Sequence, residues 1–221
     1  MILSLTACGN SAATQRPEEV LPTFTTAAAS GSATDDQTVG NDRNILIAYF
    51  TAAENSGVDA VSSASYTTLS GQAVGRLRAV ADWIAEETGG ELFSIQTETV
   101  YPADGGELIS YADQEQAEDV RPVLTSHIEN PDQYDVIFVG YPTWWYDMPQ
   151  ALYSFFDEYD FSGKTIIPFN VHNGSRFSGT ISTIQELEPE ATVIEDGFTV
   201  SEQSVADAAG DVRDWLLGLE Y

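Results

Sequence analysis

The sequence has one cysteine, few basic residues and no long apolar run. Because Cys8 is the single cysteine, an internal disulfide and any metal or iron–sulfur site built from several cysteines are excluded. No stretch approaches the roughly 20 apolar residues that a membrane-spanning helix needs. Eight Lys and Arg against 35 Asp and Glu give a net charge of -27. This charge repels nucleic-acid phosphates and anionic lipids, so we expect no nucleic-acid partner and interpret the acidic residues as a solvated surface.

The first 43 residues differ in character from the rest. The segment Leu5 to Gly9 around Cys8 resembles a bacterial lipoprotein cleavage site, but the apolar stretch before it is short and carries no positive charge. We therefore predict a truncated lipoprotein signal over residues 1–8, with its start upstream of Met1, and a lipid on Cys8. Residues 9–43 show no hydrophobic periodicity and are predicted to be a disordered tether. The protein would then be anchored at the outer face of the cell membrane; the alternative is a chance match in a cytoplasmic protein.

Residues 44–221 are predicted to form one α/β domain. Short apolar runs alternate with amphipathic stretches, the pattern of βαβ units and of a doubly wound parallel sheet. Five strands are predicted, at 45–50, 91–96, 134–141, 164–169 and near 192–200. Helices are predicted around 74–85, 107–119, 152–159, 181–187 and 205–219. Gly89 and Gly90 are predicted to end the first of these helices.

The most informative stretch runs from Tyr134 to Pro149. Its apolar residues predict a strand buried on both faces, which we expect Gly140 to close. Asp147 is expected to cap the next helix, with Pro149 just inside its start. The adjacent Trp144 and Trp145 would then be exposed between a strand's C-terminal end and a helix N-terminus, where open α/β sheets bind ligands. They would stack on a planar ligand or, alternatively, fill a subunit interface or cap the core.

Four blocks of the sequence resemble, in order, the flavodoxin-like family. They read ILIAYFT at 45–51, GRLRAVADWIAEETGGELFSI at 75–95, YDVIFVGYPTWWYDMPQAL at 134–152 and FSGKTIIPFNVHNGS at 161–175. The third block is similar to the branch whose flavin loop reads Gly-Tyr-Pro-x-Trp-Trp. The resemblance implies a three-layer α/β/α sandwich with a five-stranded parallel sheet in the order 2-1-3-4-5. It also implies FMN over the C-terminal ends of strands one, three and four.

The resemblance further implies which residues meet the flavin ring. One set follows the third strand: Pro142, Thr143, Trp144, Trp145 and Tyr146. A second set belongs to a predicted loop that begins at Asn170: His172, Asn173, Gly174 and Ser175. For His172 we expect a hydrogen bond to the flavin or to loop backbone rather than catalysis, and we assign no catalytic residue. Neither histidine has a His or Cys companion at ligand spacing, so no metal site is predicted.

The loop after the first strand departs from the family. Flavodoxins carry Ser/Thr-x-Thr-Gly-Asn-Thr there, whose hydroxyls and amides hold the FMN phosphate. Here Thr51 matches the first position, residues 52–74 intervene, and Gly75, Arg76 and Leu77 stand where Gly-Asn-Thr is expected. Glu54 adds a negative charge. Arg76 could pair with the phosphate directly, or it is a surface residue of a decayed site.

Other donors within the same stretch remain open. The candidates that could fold back onto the phosphate are Asn55 with Ser56, or Ser70 with Gly71. The inserted segment 56–70 could be a lid, a partner surface or a tolerated loop.

Two classes of function follow from these observations. The first is an FMN-binding protein that transfers electrons, as a carrier or as a small reductase of quinone-like acceptors. We favour a carrier, because no nicotinamide motif is evident. Acidic, aromatic surroundings would disfavour extra charge on the reduced flavin and so lower the potential of its second electron. The second class is a flavin-free surface binding module that keeps only the fold.

Overall fold

The computed structural model describes residues 43–56, 66–69, 72–102 and 104–221. The strands are β1 (Ile45–Tyr49), β2 (Tyr66–Leu69), β3 (Gln72–Gly75), β4 (Glu91–Ser94), β5 (Val136–Pro142), β6 (Thr165–His172), β7 (Thr192–Val193) and β8 (Phe198–Ser201). The helices are α1 (Ala53–Ser56), α2 (Arg76–Thr88), α3 (Gly105–Ala117), α4 (Gln150–Glu158), α5 (Thr180–Leu187) and α6 (Ala209–Gly218). Six strands form the main parallel sheet, and β2 and β3 form a separate antiparallel hairpin.

The main sheet has the order β4-β1-β5-β6, and both β7 and β8 pair with the far side of β6. This confirms the α/β sandwich and the predicted order 2-1-3-4-5, with one difference: the fifth strand is divided into two short pieces. The chain leaves β1 towards β4 on one side and then returns to β5 on the other. The edge above β1 and β5 is therefore the topological switch point, where ligands bind in such sheets.

Helices cover both faces of the sheet. On one face, alternate residues of β5 such as Ile137 and Val139 pack with Leu152 and Phe155 of α4. On the other face, Phe138 packs in a cluster that holds the buried side of α2 and Val212 of α6. Every residue of β1 and β5 is buried, which explains why their sequences read as continuous apolar runs.

The helix ends of α2 and α3 follow from ordinary capping chemistry. Asp104 precedes α3 and accepts hydrogen bonds from the backbone N–H groups of Gly106 (2.8 Å) and Glu107 (3.0 Å). Gly89 ends α2 in the left-handed conformation (φ 71°) and donates its N–H to Ala85, as predicted.

Several predicted boundaries are wrong at the C-terminal edge of the sheet. Gly140 does not close its strand, because β5 continues to Pro142 and pairs with an equally extended β6. A side chain at Gly140 would overlap the ring of Phe169, so the glycine is required by packing rather than by a turn. Residues 170–172, predicted as a loop, are the last residues of β6. Pro149 is the N-cap of α4, and Asp147 does not cap that helix.

The hairpin of β2 and β3 was not predicted, although its antiparallel register joins residues 66–69 to residues 72–75. It lies against the short turn Val205–Asp207 before α6. The predicted signal over 1–8, Cys8, the tether up to residue 42, and Ser70 and Gly71 lie outside the described residues, as do residues 57–65. Within the described ranges, no helix combines the length and the apolar character needed to cross a bilayer.

Candidate functional site

An open cavity of about 520 Å³ lies beside the C-terminal edge of the sheet. This volume falls in the range of small-molecule pockets, roughly 300–1,000 Å³. Three segments contribute to its wall: the loop after β5, the loop after β6 and one face of α3. The lining residues are Leu108, Ile109, Ala112, Thr143, Trp144, Trp145, Tyr146, Asn173, Gly174 and Ser175. Seven of these ten were predicted from the sequence, and the three of α3 were not.

The loop after β5 is a tight turn with an unusual backbone. Trp144 and Asp147 exchange two backbone hydrogen bonds, of 2.9 and 2.8 Å. The two residues between them, Trp145 (φ 48°) and Tyr146 (φ 66°), are both left-handed, as in the type I′ turns that usually hold Asn and Gly. For bulky side chains this conformation costs about 1–2 kcal/mol per residue. Such backbone strain persists only where the surrounding structure enforces it, and strained residues are concentrated at functional sites.

The two tryptophans have different roles. Trp145 is 46% exposed and Tyr146 is 74% exposed, so both present aromatic surface to the cavity and to solvent. Trp144 is only 7% exposed and packs edge-on against Phe50 and Tyr101. The prediction that both tryptophans are exposed is therefore wrong for Trp144, which joins the core while lining the cavity.

Side-chain hydrogen bonds attach this turn to both α3 and α4. The indole N–H of Trp145 donates to the carbonyl of Ile109 in α3 (2.9 Å) and so ties the turn to that helix. The Asp147 carboxylate accepts the hydroxyl of Tyr153 (3.0 and 2.8 Å) and the backbone N–H of Met148 (2.8 Å). Asp147 therefore holds the turn on α4 instead of capping that helix.

The loop after β6 also contains left-handed residues, at Gly174 (φ 95°), Arg176 (φ 53°) and Ser178 (φ 52°). His172, at the end of β6, is buried and is not among the residues lining the cavity. Its Nδ1 accepts the N–H of Gly174 (2.8 Å), which is one of the two roles expected for it. Burial first, and then the Arg176 guanidinium, lower the pKa of His172, so the imidazole stays neutral near pH 7.

A buried polar cluster joins the two loops. Asn170 donates to the hydroxyl of Thr143 (2.6 Å) and to the backbone carbonyl of Arg176 (2.8 Å). Thr143 donates to that same carbonyl (2.8 Å). The side-chain carbonyl oxygen of Asn170 is buried without a hydrogen-bond partner. Asn170 is fully buried and is not among the residues that line the cavity, so this acceptor lies behind the cavity wall.

Asn55 is engaged within the fold. Its side-chain N–H groups donate to the carbonyls of Thr51 (2.9 Å) and Ile95 (3.3 Å), and its oxygen accepts the backbone N–H of Thr97 (2.9 Å). Asn55 thus fastens the end of β1 to the segment after β4. A ligand could recruit this side chain only by breaking these bonds. Thr51 is buried, and the side chain of Ser56 lies outside the described part of the chain.

Glu54 does not leave an uncompensated negative charge near β1. It accepts hydrogen bonds from the hydroxyls of Tyr49 (3.1 Å) and Ser94, and it pairs with Arg78 (3.2 Å). Arg78 also binds Asp82 through its Nε at 2.6 Å. The charge of Arg78 is therefore neutralised within the fold.

Arg76 is the first residue of α2, and Gly75 before it has no side chain to accept the helix's first N–H groups. The first turn carries no acidic residue. Arg76 pairs loosely with Glu202, with 3.7 Å between Nη1 and Oε2. This helix N-terminus therefore combines a positive dipole end with a weakly held cation. Gly75 and Arg76 are not among the residues lining the cavity, and neither is Pro142, which is buried in β5.

A buried acid lies behind the cavity and was not predicted from the sequence. Glu115 of α3 is 3% exposed and accepts the hydroxyl of Tyr101 (3.2 Å), whose ring packs on Trp144. Burial raises the pKa of Glu115 to about 7, although the hydrogen bond from Tyr101 acts to lower it. The sequence spacing indicates this burial: Glu115 lies three residues after Ala112 and seven after Leu108, on the apolar face of α3.

The family model described as Flavodoxin matches residues 62–216, well over half of the chain. The chain belongs to the flavodoxin family. No curated protein matches it.

Solved structures of similar fold include two candidate flavoproteins of the genus Bacteroides. The one from Bacteroides eggerthii is 24% identical, covers 79% of this chain and 96% of its own, and has a TM-score of 0.59. The one from Bacteroides uniformis is 24% identical over 79% of this chain and 98% of its own, with a TM-score of 0.62. A flavoprotein in complex with FMN from Lactobacillus acidophilus is 19% identical over 76% of this chain and 99% of its own, with a TM-score of 0.52. At these identities the likeness shows the fold.

As a flavodoxin family member, the chain brings one half of its predicted site together. Seven of the nine residues expected to meet a ring line one cavity, and Pro142 and His172 do not. The residues expected to hold a phosphate are divided: Asn55 is occupied by the fold, and Arg76 is paired with Glu202 at the start of α2. Among the described residues, then, the ring half is formed and the phosphate half is engaged elsewhere.

Proposed function

We propose that the protein binds FMN at the switch-point edge of its sheet and transfers electrons. The observation that carries this proposal is the cavity between the two strained loops, with its exposed aromatic faces on Trp145 and Tyr146. Membership of the flavodoxin family and the fold likeness to a flavoprotein crystallised with FMN support the same ligand. When bound, the flavin ring supplies the redox chemistry, and the chain supplies its position and electrostatic surroundings.

The residues present fit such a ligand. Trp145 and Tyr146 offer stacking surface for a flat ring, and Asn173 and Ser175 offer polar groups across the cavity. At the start of α2, Arg76 and the helix N-terminus would hold the phosphate.

The first experiment is an absorbance spectrum of the purified chain before and after addition of FMN and removal of the excess. A flavin band that stays with the protein supports the proposal, and a colourless protein contradicts it. Stopped-flow mixing of the loaded protein with NADH or NADPH then separates two forms of the function. Fast bleaching of the flavin would identify a reductase, whereas a slow or absent response supports the carrier that we favour.

We expect the bound flavin to work at low potential. The chain carries a net charge of -27, and the Asp147 carboxylate lies in the turn that presents Trp145. Negative surroundings oppose the addition of negative charge to a reduced flavin. Spectroelectrochemical titration is expected to give a second-electron potential below that of free FMN; a value above it would contradict this expectation.

A second function is a flavin-free binding module with the same fold. The engagement of Asn55 with backbone and the pairing of Arg76 with Glu202 favour it, because both withdraw predicted phosphate ligands. The cavity with its strained aromatic turn opposes it, since a decayed site has no reason to keep such strain. Failure to retain FMN in the absorbance experiment would turn the search to surface partners.

We also propose that a lipid on Cys8 anchors the protein at the outer face of the cell membrane. Support comes from the sequence around Cys8, which resembles a lipoprotein cleavage site, and from the low-complexity segment that follows it. Metabolic labelling with a radioactive fatty acid is expected to mark the wild-type protein and to spare Cys8→Ala. An unlabelled wild-type protein in the cytosolic fraction would contradict the proposal.

A further inference from the structure

The carboxylate of Glu202 faces the guanidinium of Arg76 at the start of α2. Glu202 follows the last residue of β8, and its backbone N–H donates to the carbonyl of His172 (2.9 Å), which fixes its position beside β6. Its side chain is 10% exposed, and its Oε2 lies 3.7 Å from Arg76 Nη1. That distance is too long for a hydrogen bond, and this buried oxygen has no hydrogen-bond partner.

The pair is weak when compared with the other arginine of the same helix. Arg78 binds Asp82 at 2.6 Å and Glu54 at 3.2 Å and also donates to the Tyr49 hydroxyl (2.7 Å). Arg76 has the single distant ion pair with Glu202 among the described residues, and its side chain is 23% exposed. Of the two cations on α2, Arg76 is therefore the one that an incoming anion could recruit.

We propose that Glu202 competes with the phosphate of FMN for Arg76 and thereby sets how strongly the chain prefers phosphorylated flavin to flavin without phosphate. This inference rests on the proposed function. The phosphate would meet Arg76 and the first N–H groups of α2, where the helix dipole also favours an anion. Glu202 supplies an opposing negative charge at the same guanidinium. Burial raises the pKa of Glu202 while Arg76 lowers it, which agrees with a carboxylate that is poorly satisfied where it stands.

The test compares the affinities of FMN and riboflavin, which share the ring and differ in the phosphate. Quenching of flavin fluorescence is titrated for the full chain and for Glu202→Gln, Arg76→Ala and the double variant. Removal of the competing charge in Glu202→Gln is expected to tighten FMN binding about threefold, because a loose ion pair between partly exposed groups contributes little. Arg76→Ala is expected to weaken FMN binding about tenfold, the effect of losing a charge-assisted contact. Riboflavin binding should stay the same in all variants.

The double variant makes the test specific. If Glu202 acts through Arg76, adding Glu202→Gln to Arg76→Ala should change FMN affinity no further. Two control variants remove equal charges elsewhere: Glu86→Gln on the exposed end of α2, and Arg213→Ala, whose side chain pairs with Glu87. Both should leave the ratio of FMN to riboflavin affinity unchanged, which separates a local contact from long-range charge.

The outcomes distinguish the inference from the function on which it rests. If the wild-type chain binds FMN but Glu202→Gln binds it no more tightly, the inference is wrong and the proposed function stands. The same holds if Glu86→Gln tightens FMN binding as much as Glu202→Gln does. If the wild-type chain binds neither flavin, the proposed function fails and this inference fails with it.

Discussion

Glu115 gives the sharpest prediction for the stability of the free chain. Its carboxyl is almost wholly buried on the apolar face of α3 and touches one polar group that the structure describes, the Tyr101 hydroxyl, at 3.2 and 3.4 Å. A buried carboxyl of this kind favours its protonated form. Glu115→Gln keeps the shape and an oxygen that accepts the Tyr101 hydroxyl, and it removes the titration. We therefore expect it to stabilise the protein above neutral pH.

The sign and the size follow from linkage. The pKa of Glu115 is about 7 in the folded chain, against an ordinary value of 4.5. Between these values the folded state holds a proton that the unfolded state has released, so stability falls as pH rises, and the fall ends about one pH unit above 7. The whole shift corresponds to about 3 kcal/mol, of which about 2 kcal/mol falls between roughly pH 5.5 and 8.5. The other carboxyls are common to both proteins, so their contributions cancel in the difference between the two free energies of unfolding.

The assay is urea unfolding followed by tryptophan fluorescence across that pH range, where the acidic chain stays soluble. The free energy of unfolding of Glu115→Gln should exceed that of the wild type by an amount that grows by about 2 kcal/mol from the acidic to the alkaline end. Glu118→Gln removes an exposed carboxylate one position beyond the same helix and serves as the control for the loss of one negative charge. A Glu115→Gln difference that is the same at every pH would refute the reasoning.

Three further predictions concern the edge of the sheet. Gly140→Ala should destabilise the chain by more than about 2 kcal/mol, because its methyl group would overlap the Phe169 ring. The control Gly179→Ala places its methyl group in open space and should destabilise the chain far less. Urea unfolding measures both. Tyr146→Asn should stabilise the chain by about 1 kcal/mol in the same assay, since Asn adopts the left-handed conformation more readily, and should weaken FMN binding. Trp145→Phe loses the indole hydrogen bond to α3 and should weaken FMN binding about fivefold by fluorescence titration; unchanged affinity would contradict its placement.

The buried strands could be predicted from sequence because burial on both faces leaves no ambiguity. Every residue of β5 up to Val139 is apolar, and each is buried. The prediction failed where polar residues continue a strand. Asn170 ends the predicted run, yet it stays in β6 because Thr143 and the carbonyl of Arg176 satisfy its amide. Those partners come from elsewhere in the chain, so no local pattern reveals them.

The hairpin of β2 and β3 was missed although its signal was present. The β-prone run Tyr66–Leu69 is followed by Ser70-Gly71, and a short glycine-containing step after such a run is typical of a hairpin. The second strand, Gln72–Gly75, holds one β-branched residue and gives a weaker signal. The burial of Trp144 had no comparable signal. Its contacts with Phe50 and Tyr101 depend on how three separate segments meet, which the sequence of the turn alone does not determine.

The ring half of the site (the cavity residues) and the phosphate half (Asn55 and Arg76) differ in the contacts that a ligand would have to break. The ring half is held open, because the type I′ turn keeps Trp145 and Tyr146 exposed at the cost of backbone strain. In the phosphate half, releasing Asn55 would break bonds to Thr51, Ile95 and Thr97 at once, which costs several kcal/mol. Releasing Arg76 breaks one loose ion pair, worth at most ~1 kcal/mol. In the proposed complex, the phosphate of FMN would therefore recruit Arg76 before Asn55, and the affinity for FMN would depend on the weaker of these two engagements.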